Sequence, residues 1–130
     1  MAAIADLSIN NAAAVAVSYT ALGASGDASK QQYQAEWADK SPGIFERWRR
    51  ILLGVKYPMT KGQMIRVRNK FSRPVVDASG NVVAVLLHEG VTYIHPSSPA
   101  ADRADFAAQI VNGYNHATIK AAVTDAVIPS

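Results

Sequence analysis

Between Gln63 and Phe71 the sequence QMIRVRNKF alternates residue by residue. Ile65, Val67 and Phe71 fall on one parity, and Met64, Arg66, Arg68 and Lys70 on the other. A two-residue period sends successive side chains to opposite faces of a strand and fits no helix, whose faces repeat about every 3.6 residues. The segment is therefore a strand with one apolar and one cationic face. Any fold built on it must pack the first and give the second to solvent or to an anionic partner.

The same logic extends in both directions. Ile4, Leu7 and Ile9 form a short run ending at the turn signal Asn10-Asn11. Val15, Val17 and Tyr19 then alternate with Ala16, Ser18 and Thr20. An Ala-rich helix competes over residues 11 to 22, but β-branched alternation favours a hairpin. Gly23 to Ser29 reads as a loop. Tyr33, Ala35 and Trp37 mark a third strand, although QYQAEWADK also tolerates a helix. Residues 44–57, IFERWRRILLGVKY, read as a long strand, with FERWRRIL a good local helix former as the rival. Pro74 is expected to end or kink the strand that follows, and Asp77 to Asn81 to form a turn. NVVAVLLHEGVTYIHP then supplies two segments, 82–88 and 91–95, bent at Gly90.

The period changes after His95. Ser98 followed by Pro99 predicts a helix N-cap and first residue, with Asp102 and Asp105 at the positive end of the dipole. Phe106, Ile110 and Tyr114 recur every four residues. Asn112-Gly113 weakens that helix, and Asn115 caps a second one carrying Ile119, Ala122, Val123 and Ala126, with Pro129 just beyond its end. About six strands followed by two helices make an α+β plan in a single domain over 1–130. Such a sheet has more face than two short helices can cover, which predicts an obligate homodimer, with exchanged helices as one way to build it.

Charge is segregated along the chain. Arg47, Arg49, Arg50, Lys56, Lys61, Arg66, Arg68, Lys70 and Arg73 fall in one window that contains no acidic residue. The other 4 of the 13 basic residues share the rest of the chain with all 10 carboxylates. A solvated strand face explains one such triplet as well as any ligand does. Nine cations without an intervening anion favour a phosphate backbone, because ordinary surfaces mix the two signs. Tyr93 is the best candidate to stack on an unpaired base, while Trp48 and Tyr57 read first as packing residues.

Other chemistries find little support. Zero cysteines exclude disulfides, thiolate metal sites and a thiol nucleophile. His88, His95 and His116 are dispersed, so neither a metal nor another cofactor is expected. No nucleophile elbow, phosphate-cradling glycine loop or zinc-protease motif occurs, so the chain does not read as an enzyme. The start MAAIADLSINNAAAVAV lacks a basic n-region and is broken by Asp6, Asn10 and Asn11, unlike a signal peptide. No apolar run is long enough to span a bilayer, so no membrane partner is expected.

Taken together, IADLSINNAAAVAVSY, the Trp37 strand, QMIRVRNKF, VVAVLLHEGVTYIHP and the terminal SSPAADRADFAAQIVNGYNHATIKAAV are similar, in order and size, to the coat proteins of single-stranded RNA bacteriophages, the levivirus group. The resemblance implies an N-terminal hairpin, an antiparallel sheet of about five strands and two C-terminal helices. It further implies an interlocked dimer, an icosahedral shell and a location in virions assembled in the bacterial cytoplasm. The inner sheet face would bind genomic RNA and a hairpin that represses replicase translation. On that reading Arg50, Lys56, Lys61, Arg66, Arg68, Lys70 and Tyr93 are the RNA-binding residues. Val85 or Leu86 stands near the family's stacking tyrosine, and the loop Asp77 to Asn81 matches its shell-contact loop. A cellular dimeric nucleic-acid-binding regulator built on a basic sheet is the alternative.

Overall fold

The computed structural model describes residues 4–126. The chain divides into two compact units, strands up to His95 and helices from Pro96 onward. The first holds β1 (Leu7–Asn10), β2 (Ala16–Asp27), β3 (Gln32–Asp39), β4 (Arg49–Lys56), β5 (Ile65–Val76) and β6 (Val82–Ile94). Each strand pairs antiparallel with its neighbour in sequence, so the sheet order is the chain order and β1 and β6 are its edges. The second unit holds α1 (Ala100–Asn115) and α2 (Ala117–Asp125). This is the expected α+β fold.

Side-chain chemistry sets the turns. Asn11 Oδ1 accepts from the amides of Ala13 and Val15 at 2.9 and 3.1 Å, closing the β1–β2 hairpin. Asp77 Oδ1 does the same for Ser79 and Asn81 at 3.0 and 2.9 Å in the β5–β6 turn, where Gly80 adopts a φ of 86°. The chain before β1 is tied to the sheet twice. Trp37 Nε1 donates to Ala5 O at 2.9 Å, and the Ala21 amide donates to Asp6 Oδ1 at 2.8 Å. Around these bonds sit the buried apolar residues of the described chain, Trp37, Ala38 and Ile51, with Asp39 beside them.

Several boundaries differ from those predicted. Gly23 to Asp27 is strand rather than loop: a register shift at Leu22 is absorbed and β2 stays paired with β3 to Asp27. Residues 44–57 are not one strand, because Phe45–Arg47 forms a 3-10 turn before β4. Pro74 does not end β5. Pairing with β4 stops at Ser72, so Pro74 lies where β5 has one strand neighbour and a missing N–H is tolerated. β6 runs unbroken through Gly90, whose missing Cβ makes room for the Asn69 side chain opposite it. In the helical unit Pro99, not Ser98, is the N-cap of α1. His116 rather than Asn115 caps α2, its Nδ1 accepting from the Thr118 amide at 3.2 Å. Residues 127 and 128 of the expected second helix, and Pro129, lie outside the described residues.

Candidate nucleic-acid interface

Register decides which predicted residues share a face. Lys56 pairs with Arg66 and Arg66 with Tyr93; Gly54 pairs with Arg68, Leu52 with Lys70, and Arg50 with Ser72. Partners in register lie on the same side of a sheet, and residues two apart along a strand share it. Arg50, Lys56, Arg66, Arg68, Lys70 and Tyr93 therefore occupy one face, continued on β3 by Gln32, Gln34 and Glu36. The opposite face carries Trp37, Ile51, Phe71 and His88 in one row. Lys61 is on neither: it lies in the exposed turn between β4 and β5. Val85 pairs with Pro74 and so falls on the cationic side, whereas Leu86 falls on the other.

Carboxylates from adjacent strands modify this face. Arg68 Nη2 lies 2.9 Å from Glu89 Oε1, and Arg50 Nη1 lies 3.1 Å from Glu36 Oε1. Arg49, of the opposite parity, pairs with Asp39 at 3.0 Å. Among the described residues Lys56, Arg66 and Lys70 join no ion pair. Lys70 still stands opposite Glu89, whereas Lys56 and Arg66, in register on β4 and β5, leave their positive potential uncompensated.

The two ends of the face differ. At the Arg50 end the guanidinium carbon sits 4.3 Å from the Phe45 ring centre and 5.5 Å from that of Trp48, while Lys40 Nζ lies 5.0 Å from Trp48. Here Arg50 is committed to Glu36 and to two rings. At the Lys56 end the β4–β5 turn stands beside the strands. Tyr57, Gln63 and Met64 of that turn line a cavity of about 350 Å³ together with Lys56, Arg66 and Tyr93. Its ring walls are accessible, Tyr57 being 45% and Tyr93 62% exposed.

No family model and no curated protein matches the sequence. Solved structures do match. The chain is similar to the subunit of the virus-like particle of Beihai levi-like virus 21, with 21% identity, a TM-score of 0.82 and 98% of both chains covered. It is likewise similar to the virus-like particle of bacteriophage ESE058, at 19% identity and a TM-score of 0.80 over 98% of this chain and 99% of that one. For bacteriophage NT-214 the values are 16% and 0.77, over 100% and 98%. The chain has the fold of these levi-like particle subunits.

Within this levi-like fold, three features of the face were not foreseen from residue order. Glu36 and Glu89 lie outside the basic window in sequence but next to it in space. The Phe45–Trp48–Arg50 stack depends on the 3-10 turn. The cavity beside Tyr93 depends on the path of residues 57–64, which no period describes. Extending the alternation of QYQAEWAD across the sheet would have found only Glu36, by its shared parity with Gln32 and Gln34.

Proposed function

We propose that the chain is a structural coat subunit. Two copies form a dimer, dimers close into an icosahedral shell, and the cationic face holds single-stranded genomic RNA inside the virion. Arg50, Lys56, Arg66, Arg68, Lys70 and Tyr93 contribute from the sheet and Lys61 from its neighbouring turn. A repressor hairpin would bind the same face. The observation that carries this reading is the correspondence over 98% of both chains with subunits of virus-like particles.

Burial supports the dimer. With Trp37, Ala38 and Ile51 as its buried apolar residues, the described chain buries far less than a self-sufficient domain of this length. β6 exposes Val83, Val85, Leu86 and Leu87, and the helices expose Phe106, Val111, Ile119 and Val123. β6 is also an open edge with neither charge nor proline between Val82 and Leu87, so it lacks the devices that keep edges from pairing. A second copy, pairing β6 with β6 and laying its helices on the exposed sheet, covers both surfaces. Among the described residues no helix is long and apolar enough to cross a membrane, and no group of three metal-ligating side chains occurs.

Expression in bacteria followed by sedimentation and electron microscopy tests the reading. Megadalton particles containing host RNA support it. A stable dimer of about 28 kDa, twice the 13.9 kDa chain, overturns the shell and favours the regulator. Arg66→Glu combined with Arg68→Glu should give particles or dimers depleted of RNA; unchanged RNA content would sink the assignment of the face.

A further inference from the structure

Pairing of β5 with β4 stops at Ser72, and beyond it one cation stands on the side of the sheet opposite Arg66, Arg68 and Lys70. Arg73 is in register with Leu86, and residues two apart on a strand share a face. Its neighbours on that side are therefore Phe71, Val75, Ala84, Leu86 and His88. Arg73 is exposed and joins no ion pair among the described residues, whereas Arg49, also of that side, is held by Asp39. A guanidinium covered by a second copy loses its water, so the covering surface must supply an anion.

Chain connectivity says which anion. A two-fold axis that keeps both cationic faces on one side stands perpendicular to the sheet and sets the two β6 edges antiparallel. Full overlap of the 13-residue strands Val82–Ile94 puts Ile94 opposite the partner's Val82 and Gly90 opposite the partner's Leu86. Only residues 95–99 separate Ile94 from α1. At roughly 3.3–3.6 Å per residue they span at most about 18 Å, so α1 begins near the start of the partner's β6. Asp102 lies in the first turn of α1, four residues before Phe106 and on the same side of the helix. That side is open: Phe106, Ile110 and Gly113 line a cavity of about 400 Å³ that reaches Ile119.

We propose that Asp102 of one copy pairs with Arg73 of the partner subunit, and that this ion pair fixes where α1 crosses the partner's sheet. The proposal rests on the reading of the chain as a dimer paired through β6 and adds the contact that aligns the two copies. The depths agree: Arg73 is one strand spacing, about 4.8 Å, inside the β6 edge, and Asp102 is two residues, about 3 Å, inside the helix. Asp105, about 100° round the helix from Phe106, points off the apolar side and is left to solvent. The pair forms twice, once on each side of the two-fold. An α1 displaced by one turn would leave both charges unpaired in an apolar contact, so neighbouring alignments are disfavoured.

The test reads dimer strength from urea titrations of the full chain at two protein concentrations, because linked folding and association make the midpoint depend on concentration. Arg73→Asp and Asp102→Arg should each weaken the dimer roughly a hundredfold, and the two together should recover at least about tenfold of that loss. Asp105→Arg should weaken it by less than about threefold. Single reversals without effect, or a double variant no stronger than the sum of its parts, overturn the pair. The chain has no cysteine, so Arg73→Cys with Asp102→Cys supplies two addressable thiols. A short bismaleimide should then join two chains into a species of about 28 kDa, twice the 13.9 kDa chain, on a denaturing gel. Linkage within one chain, or none, also overturns the pair. A native chain whose midpoint ignores concentration contradicts the dimer, and the pair with it; a concentration-dependent midpoint without recovery in the double variant sinks the pair alone.

Discussion

Arg68 reaches diagonally across the β5–β6 pair to Glu89, 2.9 Å away, although the register sets Glu89 opposite Lys70 and Arg68 opposite Val91. One carboxylate therefore stands between two cations of the face and neutralises the nearer in space. Glu89→Gln removes that anion and keeps the shape. Because the pair is exposed, stability should move by less than about 1 kcal/mol. RNA affinity should rise, and the slope of log affinity against log salt should steepen by about one, as expected when one more cation meets phosphate. Filter binding across a salt series checks this; an unchanged slope removes Arg68 from the phosphate contacts.

Asp39 is 2% exposed and sits where β3 leaves the sheet. Burial pushes its carboxyl pKa up. Hydrogen bonds from Ser41, including its amide at 3.0 Å, and the Arg49 guanidinium at 3.0 Å push it down further, so the net shift is below the usual 3.8. A carboxylate depressed in the folded state contributes stability that is complete above its unfolded pKa and disappears as pH falls through the folded value. The midpoint of unfolding should thus be insensitive to this group from pH 7 to 5 and decline below about pH 4. Asp39→Asn should lower stability at neutral pH by about 1–3 kcal/mol and make the acid limb shallower. Urea titrations at fixed protein concentration check both, and an acid limb that Asp39→Asn leaves unaltered contradicts the assignment.

The faces of β5 were legible because they depend only on neighbours two residues apart. The charge balance of the sheet was not. It depends on which rung of β3 meets which rung of β4, for Glu36, and on which rung of β5 meets which of β6, for Glu89, and neither register follows from alternation within one strand. Glu36 and Glu89 were thus counted away from cations they touch. Gly26 illustrates a different limit. Glycine in a polar run reads as loop, yet here it is a strand residue, because a Cβ would run into the Tyr33 ring lying over it. Periodicity sees what a strand presents, not what a neighbouring strand lays across it.

Gly80 joins two constraints in the β5–β6 turn. Its φ of 86° belongs to the left-handed region, and a Cβ would lie 2.6 Å from Arg47 Nη2, so the 3-10 turn is seated against this hairpin. Gly80→Ala should destabilise the protein by about 1–2 kcal/mol. Adding Arg47→Ala to Gly80→Ala should recover only the steric share, since backbone strain remains. Denaturant unfolding of the single and double variants checks this; full recovery would show that φ at residue 80 carries no penalty.

Leu86 tests the second copy most directly. It is 59% exposed on the edge strand, on the side opposite Arg66, Arg68 and Lys70, in the row where Arg73 is its partner. In a chain that works alone, replacing so exposed a leucine by aspartate would change stability by about 0.5 kcal/mol or less. If a second copy covers that side, the same change places a carboxylate in an apolar contact, and Arg73 opposite it offsets only part of the cost of removing that charge from water. Leu86→Asp should then abolish dimers and particles while leaving the cationic side unaltered. Sedimentation velocity of Leu86→Asp against Leu86→Met, which keeps the apolar contact, separates the cases. Dimers of both variants at equal strength would place the partner elsewhere, because no tightly packed apolar contact accepts aspartate and methionine alike.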